Sequence, residues 1–392
     1  MRRISIEERR ARLARRHRLV PSAKTNDVAA IARDLIGLHA TDPASLYLSA
    51  AARMKKPSIE AVEGALYEDR TVLRMLGMRR TLFVEPVDLV PTVQWAASHA
   101  VAVRERARLV KFLTDAGLAA DVGRWLRKVE KAALKALAAR GDATAGELAS
   151  DVPELGEKLV LSRGKKYEAT VSVSSRVLLL MAAEGHVVRG RPRGSWISTQ
   201  YRWTTAEQWL GTPIDHVSVD EARASLVGRW LRSFGPATVD DIKWWTGWNA
   251  GDVRKALASV DVAEVPLESG GDAVVLADDV ASVRSPKPWV ALLPALDATT
   301  MGWKEREWYL GEHGPQLFDR MGNAGPTVWC DGRVVGGWAQ RRNGEIVYRL
   351  LEDIGREAIA AVDAAAEQVG RIVGDIRYTH RFPTPLERSL RG

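Results

Sequence analysis

VSSRVLLLMAAEGHVVRGRPRGSWISTQYRW, residues 173–203, holds a helix, a stop and a hairpin in one run. Val173 to Glu184 read as a helix and Gly185 ends it. Two strands, His186 to Arg191 and Ser195 to Trp203, flank Pro192-Arg193-Gly194. A helix beside a basic, aromatic hairpin is the layout of a winged helix, a surface built to lie on a duplex. The order helix, helix, hairpin recurs on either side of this stretch, so the fold expected is α+β and mostly helical.

Working toward the N-terminus, a basic helix spans Ser5 to His17. Asn26 or Asp27 caps a second that runs through Leu38, with Val28, Ile31, Leu35 and Leu38 on one face. Asp42-Pro43 is read as its end. Helices Ser45 to Met54 and Ser58 to Tyr67 follow, then strands Val72 to Met78 and Thr81 to Val84 joined at Arg79-Arg80. Arginine-rich connecting helices, Pro91 to Leu113 and Asp121 to Arg140, lead to Thr144. That residue caps a short helix, with Glu147 as its capping-box partner.

Working toward the C-terminus, helix Val219 to Phe234 stops at Gly235-Pro236. Thr238 caps another, Ala250 to Ser259 form a third, and Ala263 to Leu267 pairs with Ala273 to Leu276. The last region turns to short β runs at 289–293, 327–330, 333–338 and 346–350, joined in part by Asp331-Gly332 and Asn343-Gly344. A helix from Gly355 and a tail strand, Ile376 to Tyr378, close the chain. The organisation expected is three tandem winged helices (1–125 with connecting helices, 126–210 and 211–286) and a C-terminal β-barrel with a helix, 287–392.

The 392 residues carry a net charge of +8, unevenly placed. Residues 1–140 hold 27 Lys/Arg against 15 Asp/Glu, whereas residues 205–286 hold 7 against 13. A polyanion therefore meets the first half of the chain. No stretch approaches the ~20 apolar residues of a membrane span, and the basic N-terminus lacks the apolar core of a signal peptide. The single cysteine, Cys330, rules out an internal disulfide framework and excludes a zinc deaminase. The seven histidines show no helix-spaced pair for a metal, and there is no phosphate-cradling glycine loop or nucleophile elbow. No metal and no cofactor is expected. The expected setting is the cytoplasm, associated with the nucleoid, without membrane attachment.

One segment, Gly37-Leu38-His39-Ala40-Thr41-Asp42-Pro43, gathers polar side chains at a helix end. His39 and Thr41 are two apart and share a face in extended backbone. They either hold a water between them, or His39 completes the apolar stripe and Asp42-Pro43 is a turn. Asp42 and Asp297 are further catalytic candidates; Asp297, after an apolar strand, is otherwise a satisfied turn carboxylate. Arg79, Arg80, Arg193, Arg341 and Arg342 sit at expected hairpin tips where guanidinium groups contact phosphates, or are solvated there. Trp196 is expected to be partly exposed on the second hairpin.

LIGLHATDP, LYLSAAAR, MRRTLFVEP, GRPRGSWISTQYRW, LRSFGPATVDDIKWWTGW, LLPALDATTMGWKER and DGRVVGGWAQRRNGEI run in that order over nearly the whole chain. In these stretches the chain resembles the winged-helix DNA glycosylases of the AlkZ and YcaQ type, which unhook bulky alkyl lesions and interstrand crosslinks. The resemblance implies a monofunctional glycosylase acting on alkylated or crosslinked purines. It implies damaged double-stranded DNA as partner, and a monomer. It also exposes a departure. Family members of known activity have Gln-x-Gln or Gln-x-Asp where this chain has His39-Ala40-Thr41. A rival reading follows, a non-catalytic DNA-binding regulator or architectural factor that has lost the water-holding pair. A third is a scaffold for a protein partner.

Overall fold

A computed structural model of the chain describes residues 2–161, 164, 168–380 and 382–391. About half of them are helical, and the strands are short and antiparallel. The first unit begins with the helix Ile6–Arg16, capped by Ser5. The next helix, Val28–Asp34, is capped by Asp27 and is shorter than the apolar stripe suggests. Ile36 and Gly37 take φ of 50° and 90°, which turns the chain out of the helix. Leu38–His39 then form strand β1. Asp42-Pro43 does not end a helix but starts one. Asp42 accepts the Ala44 N–H, and proline at the first turn gives up no hydrogen bond, so Pro43–Ala51 is helical.

Strands β2 (Val72–Leu76) and β3 (Leu82–Pro86) form the first hairpin, and β1 adds to β3 as a third strand. The helices His99–Asp115 and Val122–Arg140 lead into the second unit. There Thr144 and Glu147 form the capping box. A hairpin absent from the sequence reading follows, β4 (Lys158–Leu161) with β5 (Ala169–Ser172). The helix Val173–Ala183 precedes β6 (Val187–Pro192) and β7 (Tyr201–Thr205). Residues 195–200 are loop rather than strand, because the register breaks between Arg189 and Pro192. The third unit places helices Val219–Phe234, Val239–Thr246 and Ala250–Leu257 before β8 (Val262–Pro266) and β9 (Asp272–Leu276).

The C-terminal strands are β10 (Val290–Leu293), β11 (Thr327–Cys330), β12 (Arg333–Gln340) and β13 (Ile346–Leu350). They pair in that order as an open sheet, and the expected barrel is not closed. The helix Arg356–Val373 packs on both β10 and β13, the strands that closure would have to join. Its Val362 and Ala366 bury against Leu292, Val328 and Val335 and cover the apolar face instead. No strand forms at Ile376 to Tyr378.

The largest apolar core is shared. Leu13 and Phe83 of the first unit, Trp230 and Phe234 of the third, and Trp303 and Trp329 beside or within the sheet belong to it. The second unit has its own core around Leu126, Leu137, Val177 and Trp203. The first and third units and the sheet are therefore held as one frame.

Candidate active site

The turn at Ile36-Gly37 aims the motif. Gly37 packs so close to Glu85 that a β-carbon would sit 2.2 Å from Oε1. Only glycine combines that approach with a φ of 90°. β1 then pairs in register, Leu38 with Val84 and His39 with Phe83. The Ala40 N–H continues the pairing to the Leu82 carbonyl at 2.8 Å. The Leu82 N–H reaches Thr41 Oγ1 at 3.3 Å. Asp42 closes the segment, with Oδ1 accepting the Ala44 N–H at 3.0 Å.

His39 and Thr41 do not meet the same surroundings. His39 is buried, with its ring edge-on to Phe83 at 5.3 Å and its Nδ1 without a hydrogen-bond partner among the described residues. Burial, with the nearby Arg79 cation, lowers its pKa to about 4 against a weaker pull from Asp297. At neutral pH the ring carries no charge. Thr41 is exposed. Thr41 and Asp42 line a cavity of about 560 Å³, and His39 is not among the residues that form its wall. The opposite side of the cavity brings in Ile197 from the second unit, Leu296 and Ala324 beside the sheet, and Tyr378 and His380 from the C-terminal segment.

Asp297 is committed elsewhere. It is fully buried, and Arg53 grips it through two hydrogen bonds of 2.8 Å. Ser49 donates to Oδ2 at 2.6 Å and the Thr299 N–H to Oδ1 at 2.9 Å. Arg53 also reaches the His17 carbonyl at 3.0 Å and Thr299 Oγ1 at 2.7 Å. Burial favours the neutral acid, but the Arg53 charge and these hydrogen bonds outweigh it and hold the pKa below the usual value. This carboxylate ties the helix Pro43–Ala51 to the loop after β10 and has no lone pair left for substrate.

The arginines of the sequence reading divide in the same way. Arg79 and Arg80 both take positive φ on the turn Met78–Arg80. The Arg79 guanidinium lies 4.2 Å over the Trp244 ring of the third unit. Arg80 pairs with Glu105 at 2.7 Å, Arg193 with Glu147 at 2.5 Å and Arg341 with Glu345 at 2.9 Å. Arg342 is exposed and has no ion pair among the described residues. Trp196 is partly exposed, as expected; it stands edge-on to Tyr47 at 5.1 Å and packs against cores of the first unit and the sheet.

One cluster lay outside the sequence reading. His380 Nδ1 is 2.9 Å from Glu387 Oε1, and its Nε2 faces Asp42 Oδ2 at 3.9 Å. Neither residue follows a motif spacing, and the segment between them is broken by Pro383 and Pro385. Only the folded contact with Asp42 brings them into view. Among the described residues there is no group of three His, Cys, Asp or Glu side chains arranged to hold a metal ion. No helix there is long and apolar enough to cross a membrane.

A family model described as DNA glycosylase AlkZ-like matches residues 32–372, from the helix before the motif to the helix behind the sheet. The chain belongs to the AlkZ-like DNA glycosylase family. An AlkZ-like relative, the interstrand DNA cross-link repair glycosylase of Streptomyces sahachiroi, is 28% identical over 177 residues. That match covers 42% of this chain and 46% of the relative, less than half of either. The solved structure of Streptomyces sahachiroi DNA glycosylase AlkZ superposes with a TM-score of 0.72 at 21% identity. It covers 97% of this chain and 99% of that one, so the AlkZ-like fold extends over the whole frame.

Proposed function

We propose that this chain is a monofunctional DNA glycosylase that hydrolyses the N-glycosidic bond of alkylated or crosslinked purines in duplex DNA. The observation that carries the reading is the placement of Thr41 and Asp42 on a cavity walled by the first unit, the second unit and the C-terminal region. Family membership across residues 32–372 supports the reaction class. The named activity of the Streptomyces sahachiroi relative supports the lesion class.

The chemistry asks little of the protein. Alkylation at N7 makes the purine a cationic leaving group, so acid assistance is unnecessary. Water must be placed at C1′ and the sugar cation stabilised as the bond breaks. Thr41 offers a hydroxyl at the cavity, and neutral His39 supports the strand behind it. Asp42 offers the negative charge that His39 and Thr41 lack. We read the three helix–hairpin units as winged helices, near residues 1–125, 126–210 and 211–286, that lie along one duplex. Of Arg79, Arg80, Arg193, Arg341 and Arg342, Arg342 is the one with no ion pair or ring contact among the described residues and so meets phosphate, and the protein acts as a monomer.

The test is incubation of an N7-alkylguanine duplex with wild type and His39→Ala. Free base released above the spontaneous rate supports the reading, and none released by wild type refutes it. A second reading, a DNA-binding protein without catalysis, is favoured by the burial of His39 away from the cavity. It predicts salt-dependent binding to undamaged duplex, unchanged by His39→Ala.

A further inference from the structure

The wall facing Asp42 carries buried polar atoms without a hydrogen-bond partner among the described residues. His380 is 6% exposed and Tyr378 8% exposed. The two rings meet edge-on at 5.4 Å, and both line the cavity. Neither His380 Nε2 nor the Tyr378 hydroxyl has a hydrogen-bond partner among the described residues. Buried polar atoms are rarely left so without a purpose.

The imidazole is fixed from behind. Glu387 Oε1 holds Nδ1 at 2.9 Å and also accepts from Arg391 at 3.2 Å. The Glu387 N–H is tied to Thr384 Oγ1 at 3.3 Å. Carboxylate, histidine and a third polar group in line is the way a protein orients a ring nitrogen for work. The third group is Asp42, whose two oxygens have different duties. Oδ1 caps the helix Pro43–Ala51, while Oδ2 stands 3.9 Å from His380 Nε2.

We propose that His380, held by Glu387, is a positioning residue that keeps the Asp42 carboxylate turned to the cavity, where Asp42 is the charged group facing the reacting sugar. This deepens the glycosylase reading and rests on it. In the step, the oxygen of water bonds to C1′ as the C1′–N9 bond breaks. The electron pair of that bond passes to the alkylated purine and cancels its positive charge. The proton of the water passes to the Asp42 carboxylate. His380 touches neither sugar nor base and acts only through Asp42.

The charges around the ring give this a pH signature. Burial pulls the His380 pKa down, and Arg391 opposes protonation too. The Glu387 hydrogen bond and the Glu387 and Asp42 charges outweigh both, so it is raised. The imidazolium, and its hold on Asp42, is complete at low pH and is lost as pH rises through that raised value.

The experiment is single-turnover release of 7-methylguanine from a methylated duplex, from about pH 5 to about pH 9. It compares wild type, His380→Gln and Glu387→Gln, with duplex Kd and thermal unfolding measured alongside. His380→Gln is expected to lower the rate about 10- to 100-fold with unchanged Kd, and to abolish the alkaline fall in rate. Glu387→Gln keeps a hydrogen bond to the ring and is expected to move that fall to lower pH; it carries the test if His380→Gln unfolds. Variants that keep the wild-type pH profile overturn the proposal, whatever their rate. A wild type that releases no base overturns the glycosylase reading beneath it.

Discussion

Two carboxylate sites, buried Asp297 and partly exposed Asp42, bracket the same helix, and they are built for opposite ends. At one end of Pro43–Ala51, Ser49 and Arg53 close around Asp297 until every oxygen is taken. At the other, Asp42 spends one oxygen on the cap and leaves the second toward His380 and the cavity. The first site is saturated and so holds the frame together. The second is left open, and openness is what chemistry on a water molecule needs. Asp297 is closed off from solvent and every one of its lone pairs is satisfied, whereas Asp42 keeps both some exposure and an oxygen to spare.

Breaking the saturated site has the largest expected effect. Arg53→Ala leaves the Asp297 carboxylate buried and unpaired, and is expected to destabilise the protein by about 3–5 kcal/mol in urea unfolding. A stable Arg53→Ala protein would show that Asp297 is not the tie described above. A smaller effect is expected at Glu85, whose two oxygens have no hydrogen-bond partner among the described residues. Burial, with a minor push from Asp88, raises its pKa to about 8. Folded Glu85 therefore keeps its proton where the unfolded chain has lost it, so stability falls as pH rises from the ordinary carboxylate range toward 8. Glu85→Gln is expected to flatten that slope and gain at least about 1 kcal/mol at pH 8. An unchanged slope in pH-dependent unfolding would reject it.

His39 reports with the opposite sign. With a folded pKa near 4, it costs stability as pH drops below its unfolded value, when the unfolded chain takes up a proton that the native state refuses. His39→Gln is expected to reduce the stability lost between about pH 6.5 and 4 by at least about 1 kcal/mol. The smallest effects are on binding. Arg342→Ala is expected to weaken duplex binding a few-fold and reduce the salt slope by about one, and Arg80→Ala, already paired to Glu105, to do neither. Equal slopes for the two variants would remove the distinction between free and committed arginines.

The sequence made the local devices legible. The hairpins after residues 72 and 186, the Thr144–Glu147 cap and the polar segment at 39–42 all rest on neighbours in the chain. What it hid was nonlocal or conformational. The apolar stripe through Leu35 and Leu38 continues past Asp34, but the helix does not, because Ile36 and Gly37 reverse the sign of φ. Four strands were legible at the C-terminus, while the helix that caps their open face decided against a barrel. Arg79 and Arg193 carried the right charge for a phosphate contact, and only the fold shows Trp244 and Glu147 already holding them. His380 and Asp42 come from opposite ends of the chain, and no spacing rule joins them.

In the proposed reaction Asp42 is the charged group at the cavity. The direct measurement is single-turnover base release from an N7-alkylguanine duplex by wild type and Asp42→Asn, at saturating protein and with duplex Kd measured in parallel. Asparagine keeps the cap on the helix and removes the charge. Release by wild type above the spontaneous rate, and about 100-fold less by Asp42→Asn at unchanged Kd, is the predicted result. Equal release by the two proteins would contradict it.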